Sequence, residues 1–164
     1  MTESDAFEHL GLVAEISATI LGFIAVFLAV SRSDGKFSAA DRHFVQALVL
    51  SSAFAVVFAL LPSALSFYMD DGVWYSSLII AGFFGISITF IMAYTQFRMP
   101  KDEAASVNAL WHVFPWTLGT VATVSIAFAL LTGKYEIGSY IIALTSMIGL
   151  SLACFIAIVF RRFF

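Results

Sequence analysis

Glu15 is a carboxylate set inside an apolar run from Leu10 to Val30. In hydrocarbon an ionised carboxylate costs a few kcal/mol or more, so such a group must be protonated, partnered or wet. Counted from His9 at 1.5 Å per residue, Glu15 lies roughly 9 Å along its helix. Oxygen-bearing residues fall at a similar depth in the other apolar runs: Pro62 and Ser63, Ser77, Thr123 and Ser125, and Tyr140 with Thr145. Pro62 has no N–H, which leaves the Phe58 carbonyl without its helical partner. A carboxylate, hydroxyls and a loose carbonyl form a donor set for a hard cation or a proton relay rather than a soft metal. Glu15, Ser63, Thr123 and Tyr140 are therefore the expected ion- or proton-binding residues. Two plainer roles remain open for Glu15, as a protonated packing residue or as a residue at a subunit interface.

His112 stands in the segment Trp111-His112-Val113-Phe114-Pro115-Trp116. At helical spacing it shares a face with Trp116, Thr120 and Thr123, which would give a hydroxyl ladder running from a group that titrates near neutrality. Pro62 and His112 are thus the expected gating and pH-responsive positions. Their ordinary readings are a bend that improves packing and an interfacial histidine between two tryptophans. A His43/His112 pair has ligand chemistry for haem or a metal, but no spacing fixes it, and neither a resident cofactor nor a metal is expected.

Other chemistries lack their residues. There is no G-x-S-x-G, no H-E-x-x-H, no Walker loop and no pair of intramembrane aspartates, so enzyme activity is not expected. Cys154 is the single cysteine, so the chain alone builds neither a disulfide nor a thiolate zinc site. The net charge of −3 comes without a basic stripe, which argues against nucleic acid as a partner.

The elements that must carry these residues are membrane helices. Of 164 residues, 61% are hydrophobic and 12% charged, against about 45–50% and 25% in soluble domains. Spanning a core of about 30 Å takes about 20 apolar residues. The sequence supplies five such runs, at 9–30, 44–69, 73–97, 107–131 and 137–160, in a single membrane domain covering 1–164. Thr2 to Glu8 carries Glu3, Asp5 and Glu8 and no basic residue, so the first run reads as a retained span rather than a cleaved signal. Arg32, Lys36, Arg42, Arg98, Lys101, Arg161 and Arg162 fall on one side of the alternating spans and only Lys134 on the other. The positive-inside bias then puts the N-terminus outside and the C-terminus in the cytoplasm.

Small residues at four-residue spacing let membrane helices approach closely. They recur as Ala14, Ala18, Gly22; Ala47, Ser51, Ala55, Ala59, Ser63; Ser77, Ala81, Gly85, Thr89, Ala93; and Thr145, Gly149, Ala153, Ala157. The expectation is an all-α integral membrane protein, a bundle of five transmembrane helices in a plasma membrane, which in a bacterium is the inner membrane. Its expected partners are membrane lipids, further copies of itself or a larger membrane complex, and a monovalent cation or proton. As a function, a small oligomeric channel or ion- or proton-conducting protein is expected. The alternatives are a non-conducting accessory or assembly subunit of a larger complex, or a lipid-binding protein.

Overall fold

The computed structural model describes residues 2–31, 38–106 and 109–163, with side chains throughout except at 30–31, 104–106, 109–112 and 162–163. Arg32 and Lys36 lie outside the described residues, as does the side chain of Arg162. Every regular element among the described residues is helical: α1 (Glu3–Ser31), α2 (Ala39–Leu65), α3 (Val73–Phe97), α4 (Lys101–Ser106), α5 (Ala109–Thr132) and α6 (Glu136–Phe163). Five of them, all but α4, are long and apolar enough to cross a membrane, as suits a membrane-embedded protein.

The third span runs over 73–97 as expected, while the others differ at their ends for local reasons. α1 begins six residues earlier than its apolar run because Thr2 and Asp5 cap it reciprocally, Thr2 N–H to Asp5 Oδ2 at 2.9 Å and Asp5 N–H to Thr2 Oγ1 at 3.2 Å. α2 begins five residues earlier because Ser38 and Asp41 form a second capping box. It stops at Leu65, whose carbonyl accepts from the N–H groups of both Tyr68 and Met69 as the chain turns. Gly72, at φ +76°, makes the left-handed entry to α3 that a side chain would strain. Beyond Pro100, Lys101–Ser106 forms a short helix where a plain loop is expected.

α2 and α6 are the central pair. α1 packs against both, α5 packs mainly on α6, and α3 lies against α2 and α5 to a similar extent, with a smaller contact to α6. The buried small residues Ala47, Ser51, Ala55 and Ala59 of α2 and Ala143, Ala153 and Ala157 of α6 explain the central position of these two helices. Two apolar cores result. One, at the acidic end, gathers Leu10, Val13, Phe54, Phe58, Leu78, Tyr140 and Leu144. The other, at the basic end, gathers Ile24, Phe44, Leu48, Met99, Cys154 and Ile158.

Between the two cores, α1, α2 and α6 each carry buried serine: Ser17 in α1, Ser51 and Ser52 in α2, Ser151 in α6. Ser52 donates to Ser151 at 2.9 Å, the Ser51 and Ser151 hydroxyls are 2.7 Å apart, and Ser51 reaches the Ala47 carbonyl at 2.7 Å. Ser151 in turn donates either to Ser51, which passes its proton to the Ala47 carbonyl, or to the Met147 carbonyl at 2.9 Å, and in both orders each hydroxyl donates once. At the basic end Arg161 Nε donates to Asp41 Oδ1 at 3.1 Å, again joining α6 to α2. Ser17 has no hydrogen-bond partner and is the one buried side-chain oxygen of this kind among the described residues.

These serines make opposite predictions. Ser151→Ala removes a shared partner from two buried hydroxyls and should cost about 1–2 kcal/mol. Ser17→Ala removes an unsatisfied hydroxyl and should leave stability unchanged or raise it by up to about 1 kcal/mol. Reversible unfolding in mixed detergent micelles measures both; a loss from Ser17→Ala as large as that from Ser151→Ala would contradict this assignment of bonds.

Candidate functional site

Pro62, Tyr140 and the Phe58 carbonyl come together. Pro62 is buried inside α2, and the Phe58 carbonyl that it frees accepts a hydrogen bond of 2.6 Å from the hydroxyl of Tyr140, which is 0% exposed. Tyr140 also meets the Trp74 ring edge-on, with centroids 6.1 Å apart. The loose carbonyl is thus occupied by the side chain that was grouped with it as an ion ligand. Both groups are engaged in joining α6 to α2 across the proline. Ser63, the next residue, is half-buried near the end of α2.

Glu15 lies elsewhere. α1 turns it away from its own bundle, and among the described residues nothing reaches its carboxylate; only its backbone carbonyl is bonded, by Thr19 Oγ1 at 2.8 Å. Of the stripe expected to shelter it, Ala14 packs against the core while Ala18 and Gly22 face outward with Glu15. The outward face reads Glu8, Gly11, Glu15, Ala18, Gly22, Ala25, Ala29, all exposed and alternating three- and four-residue steps. A Cβ built at Gly11 or Gly22 meets nothing within 4 Å. At the top of α1, Phe7 packs on Trp74 with ring centroids 5.4 Å apart, and Trp74 Nε1 donates to Glu3 at 2.9 Å. Glu15 lies eight residues beyond Phe7 and therefore about 12 Å further along the axis.

Thr123 is separate again. It is on α5, which does not pack against α1, and its hydroxyl donates to the Gly119 carbonyl at 2.9 Å. Thr120 donates likewise to the Trp116 carbonyl at 2.8 Å. These hydroxyls spend their protons on their own helix rather than handing them to one another, so Thr120 and Thr123 form no hydroxyl ladder. The side chain of His112, the expected start of that ladder, lies outside the described residues. The single polar layer of Glu15, Ser63, Thr123 and Tyr140 does not form within one chain.

Thr123 and Trp116 instead line a crevice between α3 and α5 that the sequence reading missed. Its inner part, about 270 Å³, is bounded by His43, Phe54, Gly85, Thr89, Met92, Trp116, Gly119 and Thr123 among others. A second part of about 190 Å³ continues it past Gly82, Ile126 and Leu130. Both share Phe54, Gly85, Thr123 and Met147. At the basic-end rim, His43 Nδ1 lies 3.0 Å from Thr95 Oγ1, which also reaches the Met92 carbonyl at 2.9 Å. Trp116 Nε1 donates to Gln96 Oε1 at 2.7 Å. The glycines on both walls were the available sequence signal, but it becomes a cavity only once α3 and α5 are known to be neighbours.

The described residues contain no group of three or more His, Cys, Asp or Glu side chains able to hold a metal. No protein-family model, curated protein or solved structure matches the chain.

The tyrosine–proline arrangement predicts a coupling. Tyr140→Phe should cost about 1–3 kcal/mol by stranding the Phe58 carbonyl. Pro62→Ala returns a helical N–H to that carbonyl, so the same tyrosine change in the Pro62→Ala background should cost less than half as much. A double-mutant cycle read by unfolding in micelles checks this, and equal costs in both backgrounds would exclude it.

Proposed function

We propose that the chain is a homo-oligomeric membrane protein whose copies meet through the outward face of α1 and which conducts protons or monovalent cations between protomers, past Glu15. The observation that carries this reading is the placement of Glu15: a carboxylate about 12 Å beyond the Trp74–Phe7 contact, aimed away from its own bundle. Facing lipid alone, it bears the full cost of a charge in hydrocarbon. Facing other copies, it is enclosed, and Gly11, Ala18 and Gly22 on the same stripe let the helices approach closely.

Among the described residues, the buried polar groups of a protomer do not connect to Glu15. The serine layer and the Tyr140–Phe58 bond lie in packed contacts between helices. Conduction is therefore assigned to the space between copies. Pro62 and Tyr140 serve as structural supports in this proposal rather than as gate and ligand. The excess of basic residues at one end supports a cytoplasmic C-terminus and an external N-terminus, which sets Glu8 and Glu15 on the outer side of a plasma membrane.

Glu8 and Glu15 also favour a second reading. Identical acidic stripes repel when they face each other, unless a proton or cation sits between them. A larger membrane protein that presents a Lys or Arg would neutralise the stripe without conduction, which makes this chain an accessory subunit.

Flux of protons and potassium into liposomes carrying the purified protein separates the two readings. The unaltered protein should raise flux above that of empty liposomes, and Glu15→Gln should reduce it at least about tenfold while the protein stays folded. Ala18→Cys should form interchain disulfides on oxidation, since the native Cys154 is 0% exposed and silent. Absence of flux together with absence of cross-linking would remove the conducting reading in favour of the accessory one.

A further inference from the structure

We infer that the crevice between α3 and α5 is a lipid site that holds one acyl chain beneath an anionic headgroup at the basic end. Independently of the Glu15 face, its two parts lie end to end along α5 and share Phe54, Gly85, Thr123 and Met147 as walls. From Pro115 to Leu130 the α5 wall covers fifteen residue steps, about 22 Å of helix. One leaflet is half of a core of about 30 Å, so the crevice accepts the whole length of a chain from a single leaflet. Its walls carry no Asp, Glu, Lys or Arg.

The crevice is a product of side-chain size. α3 and α5 approach closely at Gly82, where an added Cβ would sit 3.2 Å from Ile126. Nearer the basic end the facing positions Gly85 and Gly119 leave the space unfilled: a Cβ at Gly85 comes no closer than 3.9 Å to Phe54, and one at Gly119 meets nothing within 4 Å. A vacant channel of this kind forfeits dispersion along its whole wall, which an acyl chain restores.

The rim selects the headgroup. His43, Thr95, Gln96 and Trp116 make a hydrogen-bonded polar border. Arg42 and Arg98, both exposed, flank His43 and Gln96 within two residues, and Lys101 begins α4 just beyond. Arg98 lies over the Tyr94 ring at 4.8 Å from its centroid. Of the acidic residues at this end, Asp41 pairs with Arg161 and Glu103 accepts from the Ala40 N–H at 3.1 Å, while Asp102 is exposed beside Lys101. A phosphate or carboxylate headgroup here finds cations worth about 1 kcal/mol each near the surface. A fatty acid and an anionic phospholipid present the same chemistry to this rim.

Two measurements test the inference. The unmodified protein, purified in mild detergent, is analysed for retained phosphorus and fatty acid. About one acyl lipid per chain is expected, with phosphorus indicating a phospholipid and its absence a fatty acid; retention of neither overturns the site. In a Trp74→Phe/Trp111→Phe variant, Trp116 is then the sole tryptophan, and its quenching is followed in vesicles of brominated phosphatidylglycerol or phosphatidylcholine. Quenching should reach its midpoint at roughly fivefold lower mole fraction of phosphatidylglycerol. Gly119→Leu, whose Cβ meets nothing within 4 Å and whose branched end takes up crevice space, should abolish specific quenching. Arg42→Gln/Arg98→Gln should keep quenching while erasing the difference between the two lipids. Identical curves for both lipids before these changes, or curves that Gly119→Leu leaves unaltered, would show ordinary annular contact and overturn the proposal.

Discussion

The joining of α2 to α6 is the constraint on which the rest of the structure depends. In a hydrocarbon solvent apolar side chains gain nothing by leaving their surroundings for one another, so helices hold together through close contact and the few hydrogen bonds they share. These two helices have both. Ala47, Ala55 and Ala59 face a partner with Ala143, Ala153 and Ala157, and polar bonds cross between them at three levels: Arg161 to Asp41, the serine chain, and Tyr140 to the Phe58 carbonyl. α1 lies against this pair on its own, while α3 and α5 attach to different members of it. The outward face of α1 and the gap between α3 and α5 both follow from that arrangement.

The proline in α2 illustrates how such a bundle accommodates a broken backbone ladder. A carbonyl freed within a membrane helix has no water to turn to and must find a donor on a neighbour. Tyr140 is that donor, and its ring meets that of Trp74 edge-on. A feature that resembles a ligand site in the sequence thus serves as a fastening in the fold.

The spans were legible because length and composition decide them: α3 occupies 73–97, and the freed carbonyl of Phe58 follows from Pro62 alone. The helix faces were not legible. In a soluble helix the polar residues mark the outside, but here both sides of α1 are apolar enough for lipid, so Ala14 and Ala18 look alike although one packs inward and the other outward. That is why the sequence alone left open whether Glu15 packs within its own bundle or meets another subunit. Depth along each helix was readable, whereas convergence was not: Glu15, Thr123 and Tyr140 share a depth in the reading of the sequence yet belong to different sides of the bundle. The crevice was hidden for the same reason, since Gly85 and Gly119 acquire meaning only as facing walls.

The central helix α6 follows α1, α2, α3 and α5 in the chain, which bears on how the protein is made. When α1, α2 and α3 have left the ribosome, Ser51, Ser52, Asp41 and the Phe58 carbonyl still lack Ser151, Arg161 and Tyr140. α2 must therefore wait in the membrane or at the insertion machinery with its polar groups unmet. The keystone arrives after the helices that it joins, so a chain stalled before Glu136 is not a smaller version of the bundle but a set of helices with no centre.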